Sequence, residues 1–387
     1  MNNYSFSIKG FKKHCKENFK IFDIFKQIED KRKRPQIKTQ KIIWAIVNMV
    51  SLGIKSLLEL DQLGRLPQMR NYIGTNRHMV ASDSTYERVL RLIPAGSIRK
   101  AMRKIYQQLQ LQSLAQIKLE SGRQLRIAGC DASGFGKHLV SAISIFGKAA
   151  IPLDVEPYLR RGKELPSSYK LIKRTTRLLG KGWCDILIGD GLYKASRFFR
   201  LCKEGGFDGL IKTTEIRLEV IKDALGLYRA KNDRTIEKVS GFDINRLCDY
   251  AIEAAGDIRI PGLKHNLKVA HVKEYYPKLN RHEDFFVITT KQDLTALETR
   301  ELAHRRWGIE NNVFRQLNQL ITSKRVYTHN QRVLTSLLLL WYVGLGLLNA
   351  FLFQCSTTSF PQIFGKARET FSIKVAHMRL SLVSGYG

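Results

Sequence analysis

Acidic residues are scarce in this 387-residue sequence: 34 Asp and Glu stand against 65 Lys and Arg, a formal net charge of +31. A solvated surface needs no such imbalance, and the excess repels itself unless a polyanion compensates it. Cysteine is also sparse. Cys15, Cys130, Cys184, Cys202, Cys248 and Cys355 contain no C-x-x-C pair and have no H-x-x-x-H companion. This argues against a zinc finger or a disulfide framework and for reduced, mostly buried thiols in a cytosolic protein. The N-terminal "MNNYSFSIKGFKKHCKENFK" lacks an apolar core segment, so no secretory signal is expected. Internal repeats and low-complexity tracts are absent.

Hydrophobic residues make up 44% of the chain, ample for a buried core and for two or three domains. The cations are spread from "KRKR" at 31–34 to "HRR" at 304–306, which favours a long polyanion track over a single basic tail. Nucleic acid is the first partner this implies and an anionic membrane the second. One run, "VLTSLLLLWYVGLGLLNAFLF" at 333–353, carries no charge and is long enough to cross a bilayer. Because it contains Thr335, Ser336 and Asn349, it is expected to be a helix buried against the core or a partner subunit.

Residues 1–35 read as a basic tail ended by Pro35. Residues 36–120 have helical apolar spacing, with Gly53 the one glycine in "QKIIWAIVNMVSLGIKSLLELDQL" and Ser84 and Glu87 placed as a capping box. This is a helical, DNA-binding candidate domain. From 121 to 215 the pattern becomes strand, hairpin around Gly147, helix closing on Gly180, strand, helix and strand, so a mixed α/β sheet is expected. Residues 216–284 read as a β-rich insertion, and "DFFVITT" at 284–290 returns to a core strand. "ALETRELAHRRWGIENNVFRQLNQL" reads as one long helix, and 331–387 as a C-terminal helical region.

Two acids end apolar strands: Asp131 after "LRIAGC" and Asp190 after "DILIG". Chemistry in open α/β sheets collects at that carboxyl edge. Ala132, Ser133, Gly134 and Gly191 follow them, and such small residues let a ligand approach the backbone. Asp185 starts its strand and belongs to the opposite edge, while Asp154 and Glu156 follow a hairpin strand. A third acid on a helix completes an oxygen-rich site of the kind that hard divalent ions require. Two such ions stabilise both the attacking and the leaving oxygen in phosphodiester chemistry. Net positive charge then recruits DNA and local negative charge recruits metal.

The order Asp131, Asp190, Glu310 resembles the Asp-Asp-Glu triad of bacterial insertion-sequence transposases with a ribonuclease H-like core. The spacings are 59 and 120 residues, and the long second gap is like that of the class with a β-rich insertion before its final Glu, the insertion-sequence-four family. "GDGLYKASRFF" resembles that class's second-Asp block. "RRWGIENNVFRQL" resembles its Tyr-x2-Arg-x3-Glu-x6-Lys signature, and the likeness covers about residues 80–330. It implies a core of 121–215 and 285–330, interrupted by the 216–284 insertion. It also implies that Asp131, Asp190 and Glu310 hold two Mg²⁺ ions, with Mn²⁺ able to substitute. The activity implied is cutting of the element's ends to release a 3′-OH, a hairpin intermediate, and joining to target DNA. The partners implied are double-stranded DNA (terminal inverted repeats and target) and a second copy of the chain. No small-molecule substrate is expected, and the location is the bacterial cytoplasm, at the nucleoid.

In a continuous helix, positions 303, 306, 310 and 317 share one face. Arg306 and Glu310 keep the Arg-x3-Glu part, but the signature's Tyr and Lys positions hold Ala303 and Leu317. An exposed i,i+4 ion pair with the acid second contributes little to a helix, so Arg306 is read as a phosphate clamp and Glu310 as a metal ligand. Trp307 is expected to pack the helix against the sheet. Lys194, His304, Arg305 and Arg315 are the further candidate DNA contacts, with Lys324 a possible substitute for the missing lysine. Two rival readings are a catalytically inactive DNA-binding derivative of a transposase and a membrane-anchored basic protein.

Overall fold

A computed structural model describes residues 5–74, 80–135, 138–147, 149–158, 162–229, 236–305, 313–321, 328–355 and 372–378. The fold is mixed α/β. Its strands are β1 (Ile117–Lys118), β2 (Gln124–Leu125), β3 (Ile127–Phe135), β4 (His138–Phe146), β5 (Ala150–Tyr158), β6 (Ile186–Gly189), β7 (Asp208–Thr213), β8 (Ile236–Asp243), β9 (Cys248–Ile258), β10 (Leu267–Tyr276) and β11 (Arg281–Thr289). Nine of them form one sheet in the order β5-β4-β3-β6-β7-β11-β10-β9-β8, and β1 pairs with β2 alone. The expected succession of strand, hairpin, helix, strand, helix and strand between 121 and 215 is present, with helices Glu164–Leu179 and Ser196–Glu204 in the two helical places.

The chain divides into two compact units, residues 1–115, 132–167 and 310–387 in one and 116–131 and 168–309 in the other. In the first, the expected basic tail is instead folded. Helix Ile8–Phe19 is N-capped by Ser7 and is followed by helix Ile21–Lys26. Their apolar residues Phe11, Cys15, Phe19 and Phe25 are fully buried, so the segment is held by burial of four large or apolar side chains rather than by a partner. Within "KRKR", Arg32 is bound to Asp30 and to the carbonyl of Ile37. Part of the basic run therefore serves the fold.

Helix Thr39–Leu52 stops at Gly53, whose left-handed φ of 61° returns its N–H to the last carbonyls, and Leu57–Arg65 starts anew after it. The capping box expected at Ser84 lies elsewhere. Helix Asp83–Leu92 is capped by Ser82, whose hydroxyl accepts from Thr85 N, while Glu87 reaches forward to Arg91 at 2.7 Å. Ser82→Ala is accordingly expected to lower stability by about 1 kcal/mol and Ser84→Ala by much less; chemical denaturation of the two variants distinguishes the caps.

The uncharged run forms helix Gln331–Cys355. It packs on β5 and on helices Thr39–Leu52, Ala95–Leu111, Asp83–Leu92 and Ile8–Phe19, and 94% of its most apolar window is buried. Asn349 donates from Nδ2 to the carbonyl of Ala150 at 2.8 Å, which satisfies a polar group that burial would otherwise penalise. Gly344 permits the crossing with Thr39–Leu52: a Cβ there would lie 2.4 Å from the carbonyl oxygen of Val47. Its apolar faces are thus covered by this chain's own residues, in keeping with its few polar side chains.

In the second unit, β3, β6 and β7 run parallel and β7, β11, β10, β9 and β8 continue as antiparallel neighbours. The 216–284 stretch is β-rich as expected. It also contains helix Glu219–Arg229, and its strands extend the sheet edge through β11 instead of forming a separate insertion. The β4–β5 hairpin, expected with the core at 121–215, belongs to the first unit together with the N-terminal helices and Gln331–Cys355. The reason is apolar burial: β5 is buried from Ala150 to Val155 and lies against Gln331–Cys355.

Candidate functional site

The register of β3 and β6 sets the geometry of the two aspartates. Ile127, Ala128 and Gly129 pair in parallel with Ile186, Leu187 and Ile188. Asp131 and Asp190 each lie two residues beyond the last pair. Asp190 directly follows β6, but Asp131, expected to end its strand, is the fifth of the nine residues of β3, which runs on to Phe135. Asp190 keeps extended backbone (φ −85°, ψ −178°), so the register carries through to it. Neighbouring strands lie about 4.8 Å apart, which places the two Cα atoms side by side at about that separation. The residues beneath them, Ile127, Ile186 and Ile188, are buried, whereas both aspartates are half-exposed. An apolar floor carries two acids at its rim.

Asp190 caps the short 3-10 turn Gly191–Tyr193, accepting from Leu192 N through Oδ1 at 2.8 Å. That bond fixes its rotamer and leaves Oδ2 without a protein donor among the described residues. Tyr193 turns inward, is fully buried and donates to Ser168 Oγ at 2.8 Å, anchoring the turn. The glycines here do not all act as the sequence implied. A Cβ on Gly189 would meet the Tyr193 ring at 3.0 Å and one on Gly191 would meet Thr213 Oγ1 at 3.2 Å. They permit close packing of the chain on itself. Gly134 is the open one, since a Cβ placed there would meet nothing within 4 Å.

Two other carboxylates named from sequence have structural duties. Asp185 sits at the opposite edge, where its carboxylate accepts from the Arg126 guanidinium at 2.8 Å and from the Arg126 backbone N–H at 2.7 Å. Asp154 is fully buried against Arg99 at 2.8 Å. Glu310, Arg306 and Trp307 lie outside the described residues, as does Lys324. Among the described residues no three His, Cys, Asp or Glu side chains converge as a metal site; Asp131 and Asp190 supply two hard oxygen donors, the chemistry a Mg²⁺ site needs from its first two ligands.

The long helix expected at 296–320 is described in two pieces, Ala296–Arg305 and Arg315–Leu320. Ala303 is fully buried in the first and Leu317 is 2% exposed in the second. His304, expected to face DNA, is corrected by its surroundings. Its side chain is 6% exposed and its Nε2 lies 2.8 Å from Glu274 Oε1, which leaves it no face for a phosphate. Arg305 pairs with Glu301 at 2.7 Å and is one-third exposed. Arg315 is exposed. Lys194 is exposed and only loosely paired with Glu215 at 3.8 Å.

A buried network that the sequence did not announce holds helix Ala296–Arg305. Glu274 on β10 is 2% exposed and accepts from Arg300 Nε at 2.6 Å, from His304 and from Tyr276. Arg300 also binds Asp243 at 2.8 Å. Burial works against the Glu274 charge, but the donors outweigh it and bring the carboxyl down to about 2. Burial likewise lowers the His304 pKa, against the pull of Glu274. At neutral pH a neutral His304 therefore donates its Nε2–H to an ionised Glu274, and Arg300 supplies the charge. No sequence signal separates Glu274 from the other acids: it stands in "HVKEYY", a stretch without turn or motif residues.

No protein-family model matches the chain, and no curated protein sequence matches it.

Proposed function

We propose that this protein is a DNA transposase that cuts and rejoins the ends of an insertion sequence, with Asp131, Asp190 and Glu310 as the acids of its active site. The observation that carries the reading is the register of the adjacent parallel strands β3 and β6, in which Asp131 and Asp190 stand at equivalent positions just beyond the last pair, in a chain of net charge +31. Two carboxylates side by side offer the hard oxygen donors that a divalent cation takes. Glu310 is the third acid by its sequence context. We read the sheet as a ribonuclease H-like core, with the first aspartate within the strand that precedes the β4–β5 hairpin and the second directly after its parallel neighbour.

When bound, Mg²⁺ at these acids would supply an activated water and charge stabilisation on the leaving oxygen. The chain's own part is to hold the acids. The 3-10 turn orients Asp190, the buried isoleucines fix β3 and β6 beneath the two acids, and the Glu274–Arg300–Asp243 network anchors helix Ala296–Arg305. Lys194, Arg305, Arg306 and Arg315 are the proposed phosphate contacts, with His304 removed from that set by its burial. DNA ends held by two copies of the chain are the proposed substrate complex.

The buried, apolar Ala303 and Leu317 favour a second reading, a DNA-binding derivative without strand-processing activity. Neither position presents a polar group to DNA. Incubation with supercoiled DNA carrying the sequences that flank the gene separates the two. The transposase is expected to nick it in Mg²⁺ and to stop in EDTA. DNA binding without nicking in Mg²⁺ or Mn²⁺ would establish the derivative instead.

A further inference from the structure

Helices Glu164–Leu179 and Ser196–Glu204 lead into β6 and β7, so each runs back from the carboxyl edge, where Asp190 lies, towards the opposite edge. Within the second unit they are tied side by side. The Arg197 guanidinium lies 4.9 Å over the Tyr169 ring, and the Tyr193 hydroxyl bonds Ser168. Their inner faces, with Leu171, Ile172, Phe198, Phe199 and Cys202, are buried. On the outer faces Lys173 and Arg177 are i,i+4 neighbours and Arg197 and Arg200 are i,i+3 neighbours, so each pair occupies one stripe. All four are exposed. Among the described residues none of them makes an ion pair. Many other cations of this unit are committed: Arg123, Arg126, Lys291 and Arg300, and Lys203 on the second helix itself, all contact carboxylates. The two helices have one carboxylate each, Glu164 at the first residue and Glu204 at the last.

We infer that this pair of stripes docks the phosphate backbone of a DNA duplex that extends away from the Asp131–Asp190 edge. The inference rests on the proposal that the chain acts on DNA and adds the surface on which the duplex lies. Uncompensated charge marks it as a polyanion surface, and packed helices about 10 Å apart give two rows of cations for one rigid ligand. An anionic membrane fits less well. An interfacial helix inserts an apolar face, whereas here the apolar faces are buried under the sheet and no large hydrophobic residue of residues 168–179 or 196–204 is exposed.

The test is the salt dependence of duplex binding, read by fluorescence anisotropy without divalent metal. It compares wild type with K173Q/R177Q/R197Q/R200Q and with a control quadruple of the same charge change, R259Q/K264Q/K273Q/K278Q. Each phosphate that is no longer neutralised takes about 0.9 from the slope of log K against log salt. The slope of the first variant is expected to fall by about three units and that of the control by less than one. K173Q/R177Q, which leaves the Arg197–Tyr169 stacking intact, is expected to fall by about half as much and guards against a folding defect. An unchanged slope, or an equal fall in both quadruples, would overturn the inference. So would unchanged DNA binding alongside abolished binding to phosphatidylserine vesicles, which would make the face a membrane surface. Nicking is read separately. A selective fall in slope in a protein that never nicks upholds this surface while removing the transposase reading.

Discussion

Asp190→Asn is expected to lower Mg²⁺-dependent nicking by about a thousandfold, with folding intact. The substitution preserves size and preserves the Oδ1 acceptor that caps Leu192 N, so the turn after β6 keeps its anchor. What it removes is the charge beside Asp131. A metal-held transition state is stabilised by several kcal/mol, and about 4 kcal/mol corresponds to three orders of magnitude in rate. Asp185→Asn is the matched control. It lies on the same strand approach but at the opposite edge, bound to Arg126, and is expected to leave nicking within a few-fold of wild type. Equal nicking by Asp190→Asn and wild type, or equal damage from Asp185→Asn, would count against the assignment. Glu310→Gln is expected to follow Asp190→Asn, while Arg306→Ala is expected to weaken cleavage and spare Mg²⁺ binding.

Glu274→Gln is expected to cost about 3 kcal/mol of stability, measured by urea unfolding at neutral pH. Removing one partner of a buried ion pair leaves the other charge uncompensated, at about 3–5 kcal/mol. The lower end applies because Arg300 keeps Asp243 at 2.8 Å. The acid limb gives an independent signature. The Glu274 carboxyl titrates near 2 in the folded chain against an ordinary value of 4.5. A depressed folded pKa contributes stability that is complete above about 4.5 and is lost as pH falls towards 2, because the unfolded state takes up the proton first. His304, also depressed, adds a loss that begins as pH falls through its ordinary value of 6.5. Wild type should therefore lose stability over both ranges, and Glu274→Gln should lose less over the lower one, where Asp30, Asp61, Asp243 and Asp293, also depressed, still contribute. A cost below 1 kcal/mol with an unaltered acid limb would show that the network does not anchor helix Ala296–Arg305.

The acids behind these two results differ in how far the sequence marks them. Asp190 was legible because it ends an apolar run followed by a small residue, a local pattern that marks a strand's carboxyl end. The same pattern misplaced the end of the first strand, since β3 continues through Ala132, Ser133 and Gly134 to Phe135. Glu274 was not legible. It sits in the interior of β10, and its partners lie 26 and 30 residues away in sequence at Arg300 and His304. His304 was misread for the same reason: beside Arg305 it belongs to a basic run, and only a carboxylate from another strand turns it inward. The cap at Ser82 was missed by two residues because two serines flank Asp83, and the hydroxyl that reaches Thr85 N is decided by backbone geometry.

The amino-acid sequence by itself determined the alternation of strands and helices between 121 and 215, the stop at Gly53, the strand end at Asp190 and the uncharged helix with its few polar residues. Each depends on periodicity or on a residue's own backbone preference, which neighbours in sequence suffice to set. The tertiary structure alone decided the parallel register that makes Asp131 and Asp190 neighbours. It also decided the burial of the N-terminal helices, the coverage of Gln331–Cys355 by β5 and four helices, and which cations are consumed by carboxylates and which remain outside. Those outcomes depend on pairing between residues far apart in the chain, where desolvation and Coulomb attraction act over a few ångströms of space and sequence distance carries no information.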